Sequence, residues 1–331
     1  MFVTNSVDAT VSAFQLETTT GVLTALQSSP FAVTTGASPR AAAVALGKFL
    51  YIANQNTNTV TAFAISTTTG ALTLVNTYAT GTGPRSLIAD PLGKFLYVAN
   101  FSSANISAFS INASTGELTP IAGSPFGAGG TFYAITVDSA GKFIYVTDNG
   151  FLRVYGFAIN STTGALSPVP GAFFAAGSDP LGLAVHPSGK FLYVTDVPGT
   201  AGNLLVYTID VNGALAPITG SPFAVGSEPF AVAIEPTGKF AYVTLNGGPT
   251  IAQLSLDPNT GAPTPIGSPA PAINPTEIAI DHSGKFVYVS NPNLNNVSGY
   301  LIGTTGTLTP LPFSPYVTGK GPTGIAIAMT Q

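Results

Sequence analysis

The chain has 331 residues, of which only 7% are charged, against 37 glycines and 27 prolines, so its surface must be covered by Thr, Ser, Asn and Gly rather than by charge. A net charge of −4 with ten basic residues argues against a nucleic-acid partner, and the absence of cysteine excludes disulfides, thiolate metal sites and cysteine nucleophiles. Pro or Gly interrupts every apolar stretch before it reaches the roughly 18 residues a membrane helix needs, so no membrane span is expected.

The first element, "MFVTN" at 1–5, is a fragment of a phrase that recurs in full as "GKFLYVAN" at 93–100. The Gly-Lys pair that opens it falls at Gly47, Gly93, Gly141, Gly189, Gly238 and Gly284, at intervals of 46, 48, 48, 49 and 46 residues. Such a period accommodates four short strands and their turns. In the unit 83–128 the strands are "PRSLIAD" (A), "FLYVAN" (B), "NISAFSI" (C) and "ELTPIAGSPF" (D). Strand B is apolar on both faces, as expected of a sheet packed between two neighbours. Pro120, Pro168, Pro217, Pro265 and Pro310 all fall in strand D, which must therefore be an outer edge, because proline brings no N–H to a ladder.

Strand A is crowded instead. Two residues after its opening position stand Ala41, Ser86, Ala134, Gly182, Ala231, Glu277 and Gly324, small in all cases but one. The "YV" dipeptide or its equivalent occurs at Phe2, Tyr51, Tyr97, Tyr145, Tyr193, Tyr242 and Tyr288. The last strand A, "GPTGIAIA" at 321–328, has no strand B after it, and "MFVTN" has no strand A before it. The expected fold is all-β, a single seven-bladed β-propeller over 1–331 with four antiparallel strands per blade. Its ring is closed by pairing of the two chain ends in one blade, shared between residues 1–30 and 321–331. The sparse charge and abundant Thr and Asn make the expectation an extracytoplasmic or secreted protein whose signal was removed, with a cytoplasmic one as the alternative, and the bare Met1 in place of the usual lead-in suggests a missing leader.

The phrases "YVAN" and "YVTD", the "TTGAL" turns and the seven blades resemble the YVTN-repeat propellers of the lactonase family, which includes 6-phosphogluconolactonase and carboxymuconate cyclase. The resemblance covers the whole chain and implies an active site at the mouth of the central channel, with a Pro-Arg-His stretch at the start of an inner strand and further Arg and acidic residues. Pro39-Arg40 and Pro84-Arg85 match the Pro-Arg part, and the next residues are Ala41 and Ser86 rather than His.

The repeat also separates scaffold from exception. Lys48, Lys94, Lys142, Lys190, Lys239 and Lys285 are turn residues, and Asp90, Asp138, His186, Glu235, Asp281 and His282 stand at or next to the same turn. The remaining candidates gather at the starts of inner strands (Arg40, Arg85, Tyr133, Asp179, Glu228, Glu277) and the ends of B strands (Asn54, Asn100, Asp148, Asp196, Asn291), which alternating strand directions bring to one face. Glu277 alone breaks the small-residue rule, so its pKa is expected to rise toward a general-base value or to be held by an arginine. The "SPF" copies ending at Phe31, Phe126 and Phe223, with Tyr316 as a variant, read as plugs between blades. "GKGPTG" at 319–324 imitates a nucleotide-binding motif but opens a strand, not a helix.

Three functions remain open. In the first, the propeller binds a small anionic molecule, a surface protein or a glycan through its loop-rich mouth, as a monomer, without catalysis, cofactor or metal. In the second it is a lactone hydrolase or cyclase in which Glu277 is the base or water-orienter and Arg40 and Arg85 hold the oxyanion. In the third it is a structural surface module.

Overall fold

The structure is a computed structural model that describes residues 1–127, 129–199, 201–248, 250–267, 270–272 and 274–328. Seven antiparallel sheets follow one another around an axis, each ordered A-B-C-D from inside to outside. Blade 1 takes its B, C and D strands from Phe2–Asn5, Thr10–Leu16 and Leu23–Ala25, and its inner strand from Pro322–Ala326. The closing register pairs Phe2 with Ala326 and Val3 with Ile325, so the two ends share one sheet as expected. Blades 2 to 7 begin with the inner strands Pro39–Ala45, Pro84–Ala89, Phe132–Val137, Pro180–Val185, Pro229–Ile234 and Ile278–Ile280. Residues 329–331 lie outside those described.

The B strands form the core. Tyr51, Tyr97, Tyr145, Tyr193, Tyr242 and Tyr288 are fully buried, and each hydroxyl donates to the carbonyl of a hairpin glycine in the next blade, at 2.6–2.9 Å. The apolar ring fills the space between sheets while its polar end takes up a carbonyl that would otherwise be orphaned. Small residues on strand A are required because neighbouring inner strands nearly touch there. A Cβ added to Gly182 would lie 2.5 Å from the Phe230 carbonyl oxygen, and one added to Gly324 would lie 2.6 Å from Ala41 Cα.

Strand D is the outer edge, long in blades 2 and 4 but only three residues in the other five, shorter there than the sequence suggests. In blade 3 it ends at Pro120, the chain turns through a cis Ser124-Pro125 peptide, and Phe126 rejoins strand C by a single bridge at Ile106. The serine repairs the interrupted ladder: Ser29, Ser124, Ser221 and Ser314 each accept a hydrogen bond from a strand C amide through Oγ. Phe31, Phe126, Phe223 and Tyr316 then pack into the clusters between blades, as plugs.

Candidate functional site

A bulge at the start of six of the seven inner strands, all but that of blade 7, builds the mouth of the channel. In blade 3, Asn100 and Ala99 pair with Pro84 and Ser86, leaving Arg85 without a partner; in blade 2, Asn54 and Ala53 pair with Pro39 and Ala41, leaving out Arg40. The same two-against-one register recurs at Tyr133-Ala134, Leu181-Gly182, Phe230-Ala231 and Thr323-Gly324. A bulge re-aims the extra residue. A cavity of about 680 Å³ at the axis is accordingly lined by Arg40, Arg85, Tyr133, Phe230, Glu277 and Lys320, among others.

The two arginines are held by different devices. The Arg40 Nε–H donates to Gln55 Oε1 at 2.6 Å, leaving the outer guanidinium nitrogens for the cavity. Burial, and then the like charge of Arg85, hold the Arg40 pKa below the ordinary arginine value, though the group stays cationic. The Arg85 guanidinium carbon lies 3.7 Å from the centroid of the Tyr133 ring and 5.5 Å from that of Phe101, a cation–π arrangement that fixes its plane. Tyr133 in turn meets Phe101 and Phe230 edge to face, with centroids 6.2 and 6.0 Å apart.

Glu277 faces them from blade 7. Its backbone is fixed by strand B, the Glu277 N–H donating to Ser290 Oγ at 3.1 Å and the Ser290 N–H to the Glu277 carbonyl at 3.0 Å. Its carboxyl takes part in no hydrogen bond among the described residues, and burial pushes its pKa up to about 7 against the smaller opposing pull of the Arg85 charge. Protein encloses it, with the channel as its contact with solvent.

A line of hydroxyls ties the inner strands together elsewhere. Thr147, Thr195, Thr244 and Ser290 each donate across the seam to the next inner strand, at the carbonyls of Leu181, Phe230, Thr276 and Thr323, over 2.7–3.0 Å. Blades 2 and 3, which carry the arginines, have Ala53 and Ala99 at this position. One partial substitute exists there: the Ile135 amide donates to Ser86 Oγ at 3.3 Å.

The structure thus brings Arg40, Arg85, Tyr133 and Glu277 into one cavity and places the other candidates elsewhere. Asn54, Asn100 and Asn291 are buried at the correct end of strand B, but each turns outward and donates to a strand C hydroxyl seven residues on: Thr61, Ser107 and Ser298, at 2.8–2.9 Å. Asp148 and Asp196 lack that hydroxyl and accept loop amides instead, from Gly130 and Thr131 and from Ser178 and Asp179, at 2.7–2.8 Å. Asp179 accepts from the Asn149 side-chain amide, and Glu228 holds its loop at φ 49° with its carbonyl accepting from Asn246. His186 spans the A–B turn, bonded to Ser188 Oγ and the Gly238 carbonyl, both at 2.8 Å. Three further residues of the site are not among the candidates that the sequence singles out. Phe230 shares the bulge position of Arg40 and Arg85, Lys320 is the one lysine outside the turns between strands A and B, and Gln55 directly follows a strand B end.

Comparison with known proteins agrees with this architecture. The model of the lactonase family, a seven-bladed β-propeller, matches residues 1–135 and 132–325, so the chain belongs to that family. No curated protein matches it by sequence. Among solved structures it is similar to a Bacteroides fragilis protein provisionally assigned as a 6-phosphogluconolactonase (23% identity, TM-score 0.82, covering 98% of this chain and 96% of that one). A Bacteroides uniformis protein with the same provisional assignment is also similar (21%, TM-score 0.83, 97% and 96%). So is the periplasmic gluconolactonase of Pseudomonas aeruginosa (18%, TM-score 0.80, 97% and 96%). At these identities the likeness is one of fold.

Proposed function

We propose that the chain is a lactone hydrolase with Glu277 as general base and Arg40 and Arg85 as the oxyanion clamp. One observation carries the proposal: a carboxyl with no hydrogen-bond partner among the described residues, its pKa raised to about 7, shares a cavity with the guanidinium groups of Arg40, held through Nε by Gln55, and Arg85, stacked on Tyr133. A base whose pKa lies near the working pH is both available and strong enough to take a proton from water. Cations fixed in advance stabilise charge that develops only in the transition state.

Hydrolysis begins as Glu277 takes a proton from a water molecule whose oxygen attacks the lactone carbonyl carbon. The carbonyl oxygen becomes an oxyanion facing Arg40 and Arg85. The ring C–O bond then breaks, and the proton held on Glu277 passes to the departing ring oxygen, giving a hydroxy acid. Its new carboxylate suits the same guanidinium groups, so the product is expected to inhibit. Those contacts also account for a second reading, binding of a small anion without turnover.

The test is hydrolysis of a panel of γ- and δ-lactones followed by base uptake at constant pH, for the parent and for Glu277→Gln. The proposal expects turnover that falls at least a hundredfold in the variant. Binding of a hydroxy acid with no turnover of any lactone selects the second reading.

A further inference from the structure

The mouth is not uniform around its circumference. Following the bulge position, and its sequence equivalent in blade 7, from blade to blade gives Arg40, Arg85, Tyr133, Leu181, Phe230, Thr276 and Thr323, with Glu277 beside Thr276. Charge and hydroxyl therefore occupy the continuous arc of blades 7, 1, 2 and 3, where Lys320 also lines the cavity. Blades 4 to 6 present Tyr133 and Phe230 in edge-to-face contact, and below them Ile135, Leu183 and Val232 line the same cavity. Among the described residues that line the cavity, the side chains of that second arc offer hydrogen-bond partners only at the Tyr133 and Thr136 hydroxyls. Thr195 and Thr244 have turned away into the seams, donating to the Phe230 carbonyl and to the Thr276 carbonyl.

Resting on the hydrolase reading above, we infer that the preferred lactone carries an apolar substituent, an alkyl chain or an aryl ring, lodged against Phe230 and the apolar arc while its carbonyl faces the arginines. The ring of a sugar lactone bears hydroxyls on nearly every carbon. With the carbonyl between Glu277 and the two arginines, some of those hydroxyls must turn toward blades 4 to 6 and lose their water without replacement. An alkyl or aryl group in the same place gains from leaving water. Phe230 is the residue that decides between them: it is partly exposed in the cavity wall, with its inner side packed on the blade 6–7 core and on Tyr133, so Leu keeps an apolar wall there and Ser removes it.

The experiment compares kcat/KM for three δ-lactones, unsubstituted δ-valerolactone, a butyl- or phenyl-substituted δ-lactone, and glucono-δ-lactone. Each is measured with the parent chain, Phe230→Ser and Phe230→Leu, with thermal melts confirming that all three are folded. The expected result is a preference of about tenfold or more for the substituted lactone over glucono-δ-lactone, as one or two buried methylenes give. That preference should fall to near parity in Phe230→Ser and persist in Phe230→Leu. Faster turnover of glucono-δ-lactone by the parent, or a substituent preference unchanged in Phe230→Ser, overturns the inference and leaves the hydrolase reading standing. No turnover of any of the three overturns both.

Discussion

The guanidinium carbon of Arg85 sits 3.7 Å from the centre of the Tyr133 ring, so the plane of a cation in the channel mouth is set by an aromatic side chain from the adjacent blade. The strand B seam hydroxyl is missing from this part of the ring, where Ala99 stands in place of Thr or Ser and, among the described residues, only the longer Ile135 N–H to Ser86 Oγ bond crosses the seam. Stacking therefore positions Arg85, with Phe101 at 5.5 Å as a second support. Tyr133→Phe keeps the ring and should change kcat/KM by no more than about twofold. Tyr133→Ala frees the guanidinium and should lower kcat/KM about tenfold, matching a partly desolvated cation–π contact of about 1–2 kcal/mol. Steady-state kinetics on the best lactone separates the two, and equal losses in both variants would point to the hydroxyl instead.

Glu277 links activity to pH in one direction and stability in the other. Its folded pKa of about 7 lies above the ordinary carboxyl value, so the base is fully formed only above neutrality. The pH profile of kcat/KM should rise about tenfold per unit up to a bend near pH 7 and then level off. For stability, the folded chain holds a proton on this group between about pH 4.5 and 7 that the unfolded chain releases. The contribution is complete below the unfolded pKa and is lost as pH rises through the folded one. Glu277→Gln removes the buried charge, so at pH 8 it should be inactive yet more stable than the parent, by on the order of 1–3 kcal/mol. Melting curves at pH 5 and pH 8 check this, because the gain should shrink at the lower pH.

Residues that answer to the repeat are legible in the sequence alone. The Gly-Lys turns, the prolines of strand D and the small residues of strand A each report a constraint imposed many times over, and together they fix blade count and strand order. Glu277 stands out for the same reason, as a departure from a repeated constraint. Phe230 does not, because its importance comes from a bulge, and a strand's simple alternation carries no mark of where one residue is skipped. Asn54, Asn100, Asp148 and Asp196 can be assigned to the right end of the right strand, but their direction is decided by strand C. Where a hydroxyl lies seven residues on, an asparagine turns to it; where Tyr155 or Asn203 replaces that hydroxyl, an aspartate turns to the loop amides. The spacing is visible in the sequence, and only the register of strands B and C gives it meaning.

The tyrosine ring makes a stability prediction that the chain itself partly anticipates. The Tyr193 hydroxyl is buried and donates at 2.7 Å to the Gly261 carbonyl of the next blade. Tyr193→Phe keeps the packing and removes the donor, leaving that carbonyl unpaired, at a cost of about 1–2 kcal/mol. Phe2 holds the equivalent place in blade 1, where no such bond exists. Denaturant titration of Tyr193→Phe should therefore show a lowered midpoint with an unchanged slope, because the amount of surface exposed on unfolding stays the same.

Closure of the ring depends on a strand that enters last. Pro322–Ala326 pairs with Phe2–Asn5, and the Gly324 amide donates to Thr4 Oγ1 at 2.8 Å, joining positions 320 residues apart. Ending the chain at Lys320 would remove this strand, uncover the edge of Phe2–Asn5 and expose Val3, which is otherwise fully buried. An uncovered, apolar edge strand at the centre of a ring pairs readily with other chains. The shortened chain should unfold in a broader transition at lower temperature and elute as aggregates in gel filtration. Adding residues 321–331 back as a separate peptide should restore a monomeric peak and a single sharp melt, because the peptide needs only the existing edge and the Thr4 hydroxyl to dock. A truncated chain that remained monomeric and melted like the parent would show that packing between blades, rather than the shared sheet, holds the ring closed.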